Sequence, residues 1–189
     1  MVSPQVTNMV LILGLMQLSK KVPFDNPDVL FGVRCLYIAS NVLIFGLYLY
    51  VQSVINKKKD LTTLKYVEPA PLGSGEEPKP VTTTVQEYDR TQLRNQFKAQ
   101  LMGIGMMVVM HLWFKYKNPL LIQSIIPVKS ALESNLVKIH VFGKPATGNL
   151  ARPWKSAQGF LGMTSGEIKT DKASVENAER NYRGGVKED

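Results

Sequence analysis

Apolar and polar positions divide the chain into four consecutive stretches. The first apolar run extends from about Gln5 to Leu18, centred on Met9–Met16 (MVLILGLM), and no Lys or Arg precedes Lys20. A cleaved secretory signal has a basic n-region and small residues at its cleavage site, and this run has neither. Its length reaches about 21 Å as a helix, short of a ~30 Å hydrocarbon core. The pattern predicts a short, uncleaved membrane helix in preference to a buried core helix. The second run, Val29–Ile55, carries Arg34 as its only formal charge and would extend about 40 Å as a helix, enough to cross a bilayer with tilt. It stops at Asn56-Lys57-Lys58-Lys59, a basic cluster of the kind retained in the cytosol. Lys20–Asp28, with two prolines, predicts a tight turn, so residues 1–56 read as a transmembrane hairpin whose turn faces away from the cytosol.

Residues 57–98 read as a cytosolic linker and charged helix. Four prolines around Gly73-Ser74-Gly75 predict a flexible, polyproline-like middle portion. From Val85 the pattern turns helical and runs without a breaker into Leu101–Phe114 (LMGIGMMVVMHLWF). Asn118-Pro119 forces a turn before Leu120–Val128, so residues 99–128 read as a second short hairpin or re-entrant element. Trp113 and Tyr116 beside Lys115 and Lys117 suit a membrane interface. Residues 129–189 form a polar, basic, loop-rich tail with one short helix near Asp171–Tyr182. The expected fold class is an all-α membrane protein of short transmembrane hairpins. Counting Lys and Arg places linker and tail on the cytosolic side.

Composition narrows the function. The chain has 189 residues and a net charge of +8, and one cysteine and two histidines exclude a disulfide framework and a His- or Cys-rich metal centre. There is no P-loop, G-x-S-x-G, H-E-x-x-H or paired-carboxylate site in the apolar runs. No enzyme, cofactor or metal is expected. Gly103 and Gly105 read as small residues that let helices approach closely.

The distinctive pattern is polar. Arg34, Tyr37, Asn41, Tyr48 and Gln52 fall within a sector of about 60° on the second helix at 100° per residue. Gln96, Gln100, Gly103, Met107, His111 and Asn118 line one face of the third. A buried arginine costs at least ~2.5 kcal/mol in a bilayer and needs a partner, protein interior or water. Arg34 could snorkel to the interface while the amides glue helices together. Alternatively, the two stripes line a hydrated groove, with Met102, Met106, Met107 and Met110 as an adaptable wall for varied client segments. The groove candidates are therefore Arg34, Tyr37, Asn41, Tyr48, Gln52, Gln100, Met107 and His111. Lys57, Lys58, Lys59, Lys129, Lys138, Lys144, Arg152 and Lys155 are candidates for contact with anionic lipid or with the RNA of a docked ribosome.

Longer blocks carry a resemblance. LTTLKYVEP (61–69), KYKNP (115–119), QSIIPVKSALE (123–133), VKIHVFGKPATGNL (137–150) and RPWK (152–155) resemble the fungal phosphate-transport-88 family, which is also that of the third component of the SND (SRP-independent) endoplasmic-reticulum targeting pathway. The resemblance implies a multi-pass endoplasmic-reticulum protein that helps deliver or insert client membrane proteins, alongside other SND components and the Sec translocon. It also implies an indirect role in phosphate uptake. The rivals are an accessory structural subunit with no groove, and a phosphate carrier, for which the chain lacks inverted repeats.

Overall fold

The longest apolar run makes the longest helix. In the computed structural model, which describes residues 4–69, 78–154 and 168–184, α1 spans Pro4–Lys21 and α2 spans Pro27–Lys58. The antiparallel strands β1 (Thr63–Glu68) and β2 (Lys79–Thr84) follow. Then come α3 (Val85–Leu112), α4 (Asn118–Glu133), α5 (Asn135–His140), a 3-10 turn at Gly148–Leu150 and α6 (Lys172–Gly184). Two units emerge, one from Met1–Val54 and Thr91–Gly143, the other from Ile55–Arg90 and Lys144–Asp189. Each draws on two separated stretches of chain, where the pattern of apolar and polar positions divides it into consecutive segments.

In the first unit, α1 packs along α4. The α1–α2 turn is fixed by Asn26, whose Oδ1 accepts from Asp28 N at 2.9 Å and so caps α2. α3 runs unbroken through the junction at residues 100–101, because no Gly-Pro pair or β-branched cluster interrupts it. Pro119 sits in the first turn of α4, where its missing N–H costs nothing. Phe24, Val33, Met107 and Leu120 form a buried cluster near the two turns. The outside is unusually apolar: Met9, Val10, Leu13, Phe31, Ile38, Val42, Leu49, Met102, Met106 and Leu112 are exposed, while Ser19, Ser40, Asn41 and Ser124 are buried. Among the described residues, α2 is the one helix long and apolar enough to cross a membrane by length and composition. α1, expected as a second membrane helix, does not meet that measure.

The second unit corrects the all-α expectation. Thr63–Glu68 and Lys79–Thr84 pair in register from Thr63↔Thr84 to Glu68↔Lys79. Pro80 sits opposite Val67, and Val67 N points away from β2 to donate to Lys169 O at 2.9 Å. The Val67–Pro80 pair is thus a non-hydrogen-bonded one, so the proline removes no ladder bond. α6 covers the ribbon, burying Val175, and Lys65 pairs with Glu179 at 3.1 Å. The tail therefore holds a helix near the expected 171–182, folded against a sheet. The centre of the Pro/Gly linker, 70–77, lies outside the described residues.

Candidate functional site

The two polar stripes face each other. Gln100 Nε2 donates to Asn41 Oδ1 at 2.7 Å, and Asn41 Nδ2 donates to Tyr37 O at 2.8 Å, so one buried asparagine ties α3 to α2 and to its own preceding turn. One end of the line holds Arg34, whose Nε donates to His111 Nε2 at 3.1 Å. Guanidinium can only donate, so Nε2 must accept; Nδ1 then carries the proton and donates to Tyr116 O at 3.0 Å. Towards the other end, the Phe97 ring meets Tyr48 edge-on at 5.2 Å and stacks on Phe45 at 5.8 Å. Gln96 Oε1 is buried on the same face of α3 with no hydrogen-bond partner among the described residues.

Of the groove candidates, five fall into two hydrogen-bonded groups, Arg34 with His111, and Gln100 with Asn41 and the Tyr37 carbonyl. Tyr48 is buried against Phe97, and Met107 belongs to the apolar cluster with Phe24, Val33 and Leu120. Gln52 is exposed and stands apart. Met102 and Met106 face outward, so the four methionines do not form a single wall. A Cβ built on Gly103 or Gly105 meets nothing within 4 Å, which corrects the expectation that these glycines mark a close helix approach. On another face of α2, Leu36, Ala39, Ser40 and Leu43 border an open trough of about 570 Å³ shared with Ser124, Ile125, Val128 and Leu132 of α4. Its serines donate to Leu36 O and Leu120 O, each at 2.7 Å, leaving the trough surface apolar. Lys129 and Glu133, paired at 2.6 Å, edge it. Sequence reasoning passes over Phe97, Ser40 and Ser124. The four-residue spacing of Gln96 and Gln100 is legible in the pattern; the groups they face are not.

The basic candidates separate. Lys57, Lys58, Lys59 and Lys144 are exposed, and Lys138 is half-buried. Arg152 is the exception, and corrects its reading as a surface contact. It makes a bidentate ion pair with the buried carboxylate of Asp89, at 2.6 and 2.7 Å, and lies over the Trp154 ring at 5.5 Å. Trp154 N donates to Tyr88 Oη at 2.8 Å, and its Nε1 donates to Leu150 O at 3.0 Å. Burial pushes the Tyr88 phenol up to about 12, against the opposing effect of that hydrogen bond. This cluster closes the second unit. Lys155 lies outside the described residues. Among those residues, no group of three His, Cys, Asp or Glu could hold a metal ion.

Comparison with known proteins gives a consistent answer. Residues 2–186 match the family model described as phosphate transport (Pho88). The chain is 47% identical over 185 residues to SRP-independent targeting protein 3 of Saccharomyces cerevisiae, covering 98% of both chains. It is 41% identical over 178 residues to the SRP-independent targeting protein 3 homolog of Schizosaccharomyces pombe, covering 94% of this chain and 91% of that one. An uncharacterized S. pombe protein is 46% identical over 159 residues, 84% of this chain and 79% of its own. No solved structure matches.

Proposed function

The chain belongs to the phosphate transport (Pho88) family, and from that premise we propose that it is a component of SRP-independent targeting at the endoplasmic-reticulum membrane. The observation that carries this reading is the identity of 47% to SRP-independent targeting protein 3 of S. cerevisiae across nearly the whole of both chains. In this reading α2 spans the bilayer, with its Lys57–Lys59 end in the cytosol. The exposed apolar faces of the first unit meet lipid, which cannot satisfy polar groups, so pairing of interior groups such as Asn41 and Gln100 is favoured there. Clients are received along α2. The Asn41–Gln100 and Arg34–His111 bonds open there and are replaced by bonds to polar groups of the client. Exchange of this kind costs little, because each interhelical bond in a membrane contributes only about 0.6 kcal/mol on average. Other SND components, the Sec translocon and the ribosome are the partners of that work, which needs no cofactor and no covalent chemistry.

One observation favours a second reading: Gln100 already donates to Asn41, as it would in a purely structural subunit. A photocrosslinker at Asn41 or His111 separates the two. The targeting reading expects adducts with newly made membrane proteins of many sizes; a structural subunit gives one fixed adduct. The family's description fits an indirect role, with phosphate transporters among the clients. Liposomes containing this protein alone are then expected to show no phosphate flux, and flux would identify a carrier.

A further inference from the structure

The two turns of the first unit meet at one end. Lys117 Nζ donates to Phe24 O at 3.2 Å and pairs with Asp25 at 3.4 Å, bringing the α3–α4 turn against the α1–α2 turn. Between them lies an open cavity of about 660 Å³, lined by Lys20, Lys21, Asp25, Lys115, Lys117 and Asn118 among others. Four lysines and one aspartate line it. That carboxylate is taken by Lys117, and Lys20, Lys21 and Lys115 have no acidic partner among the described residues. The first turn of α4, which begins at this cavity, has no acidic side chain and no side-chain cap. Lys115 holds a left-handed backbone with φ of 55°, where glycine would be unstrained; the lysine keeps a charge on the cavity wall that glycine cannot supply.

The rim indicates where this cavity sits. Trp113, Phe114 and Tyr116 are exposed beside it, and the Phe114 and Tyr116 rings stack at 6.2 Å. Exposed tryptophan and tyrosine next to lysine, at the end of helices with apolar exteriors, occupy the depth of lipid headgroups. It is also the end of α2 opposite Lys57–Lys59, so these lysines sit apart from the basic cluster expected in the cytosol. We propose that this cavity binds a phosphate-bearing anion, namely the headgroup of an anionic phospholipid, held by Lys20, Lys21 and Lys115 while Lys117 keeps the turns together. The proposal rests on the membrane reading above.

The test uses the full-length protein and the triple variant Lys20→Gln, Lys21→Gln, Lys115→Gln, all exposed positions whose loss leaves the Lys117 link intact. Both are first floated with neutral phosphatidylcholine vesicles, then assembled in nanodiscs of phosphatidylcholine with phosphatidylinositol, and retained lipid is counted by native mass spectrometry. The wild type is expected to retain the anionic lipid over the neutral one, and the variant to lose that preference by roughly 10- to 100-fold. A parallel arm adds inorganic phosphate. Displacement of retained lipid by millimolar phosphate, or phosphate binding without lipid preference, assigns the site to the free anion and overturns the lipid headgroup as ligand. Equal retention by both proteins overturns the site while leaving the membrane reading intact. Failure of the wild type to float overturns both.

Discussion

The two units differ in which side chains they expose and which they bury. In the second, Val67, Tyr88, Trp154 and Val175 are buried and, among the described residues, the charged side chains are mostly exposed; the buried carboxylate of Asp89 is held by Nε and Nη2 of Arg152. In the first, isoleucine, leucine and methionine cover much of the exterior, while an asparagine and several serines are buried and Gln100 is half-buried. Water rewards burial of apolar surface, so the second unit can hold a desolvated ion pair inside a conventional core. In the membrane reading proposed above, lipid offers no such reward, and the first unit relies on close packing and a few interhelical hydrogen bonds. Buried polarity thus takes two forms: a bidentate ion pair in one unit, and an amide–amide hydrogen bond between helices in the other.

Breaking the closure should have the largest effect. Asp89→Ala leaves Arg152 buried without its partner and is expected to destabilise the second unit by about 3–5 kcal/mol. Urea-dependent proteolysis of the β1–β2 ribbon checks this, and the first unit in detergent should keep its helical signal. Alkali should attack the same place. Tyr88 is held neutral up to about 12 in the folded protein, against an ordinary value of 10.0. Its contribution is fully present below pH 10 and is lost as pH rises from there through 12. The fluorescence of Trp154, which donates to Tyr88, should report unfolding in that window, and Tyr88→Phe should flatten the pH dependence.

The first unit should respond more gently. Asn41→Leu is expected to cost roughly 0.6 kcal/mol and at most about 1.7 kcal/mol in lipid. Asn41→Leu combined with Gln100→Leu should cost less than the sum of the two, because neither amide is then left alone. Thermal stability in nanodiscs measures both. The smallest change comes from Lys65→Ala, which removes an exposed pair with Glu179 worth about 0.2–1 kcal/mol, and its effect should fade with salt.

How much of this was legible follows from range. α2 could be read from Val29–Ile55 and its stop at Lys57–Lys59, and α3 from the absence of a breaker between Val85 and Phe114, because both signals are local. The helical period also placed Asn41 and Gln100 on narrow faces. What it could not supply is that the two bond to each other across 59 residues of sequence. The ribbon escaped for the same reason: two six-residue strands, one containing Pro80 and both flanked by a Pro/Gly segment, look like linker until they are paired. Arg152 looked like one more surface base because its partner, Asp89, lies 63 positions away in a charged helix.

The contrast between the units is tested most directly by thiol accessibility. On a Cys35→Ser background, one cysteine is placed at Val42, exposed on α2, and in a second protein at Thr82, exposed on β2. Both are treated with a membrane-impermeant maleimide in membranes opened so that both faces are reached. The cysteine at position 82 is expected to react promptly and that at 42 only after detergent is added. Equal, rapid labelling at the two positions would show that α2 lies in water, and the division of the molecule between lipid and water would be wrong.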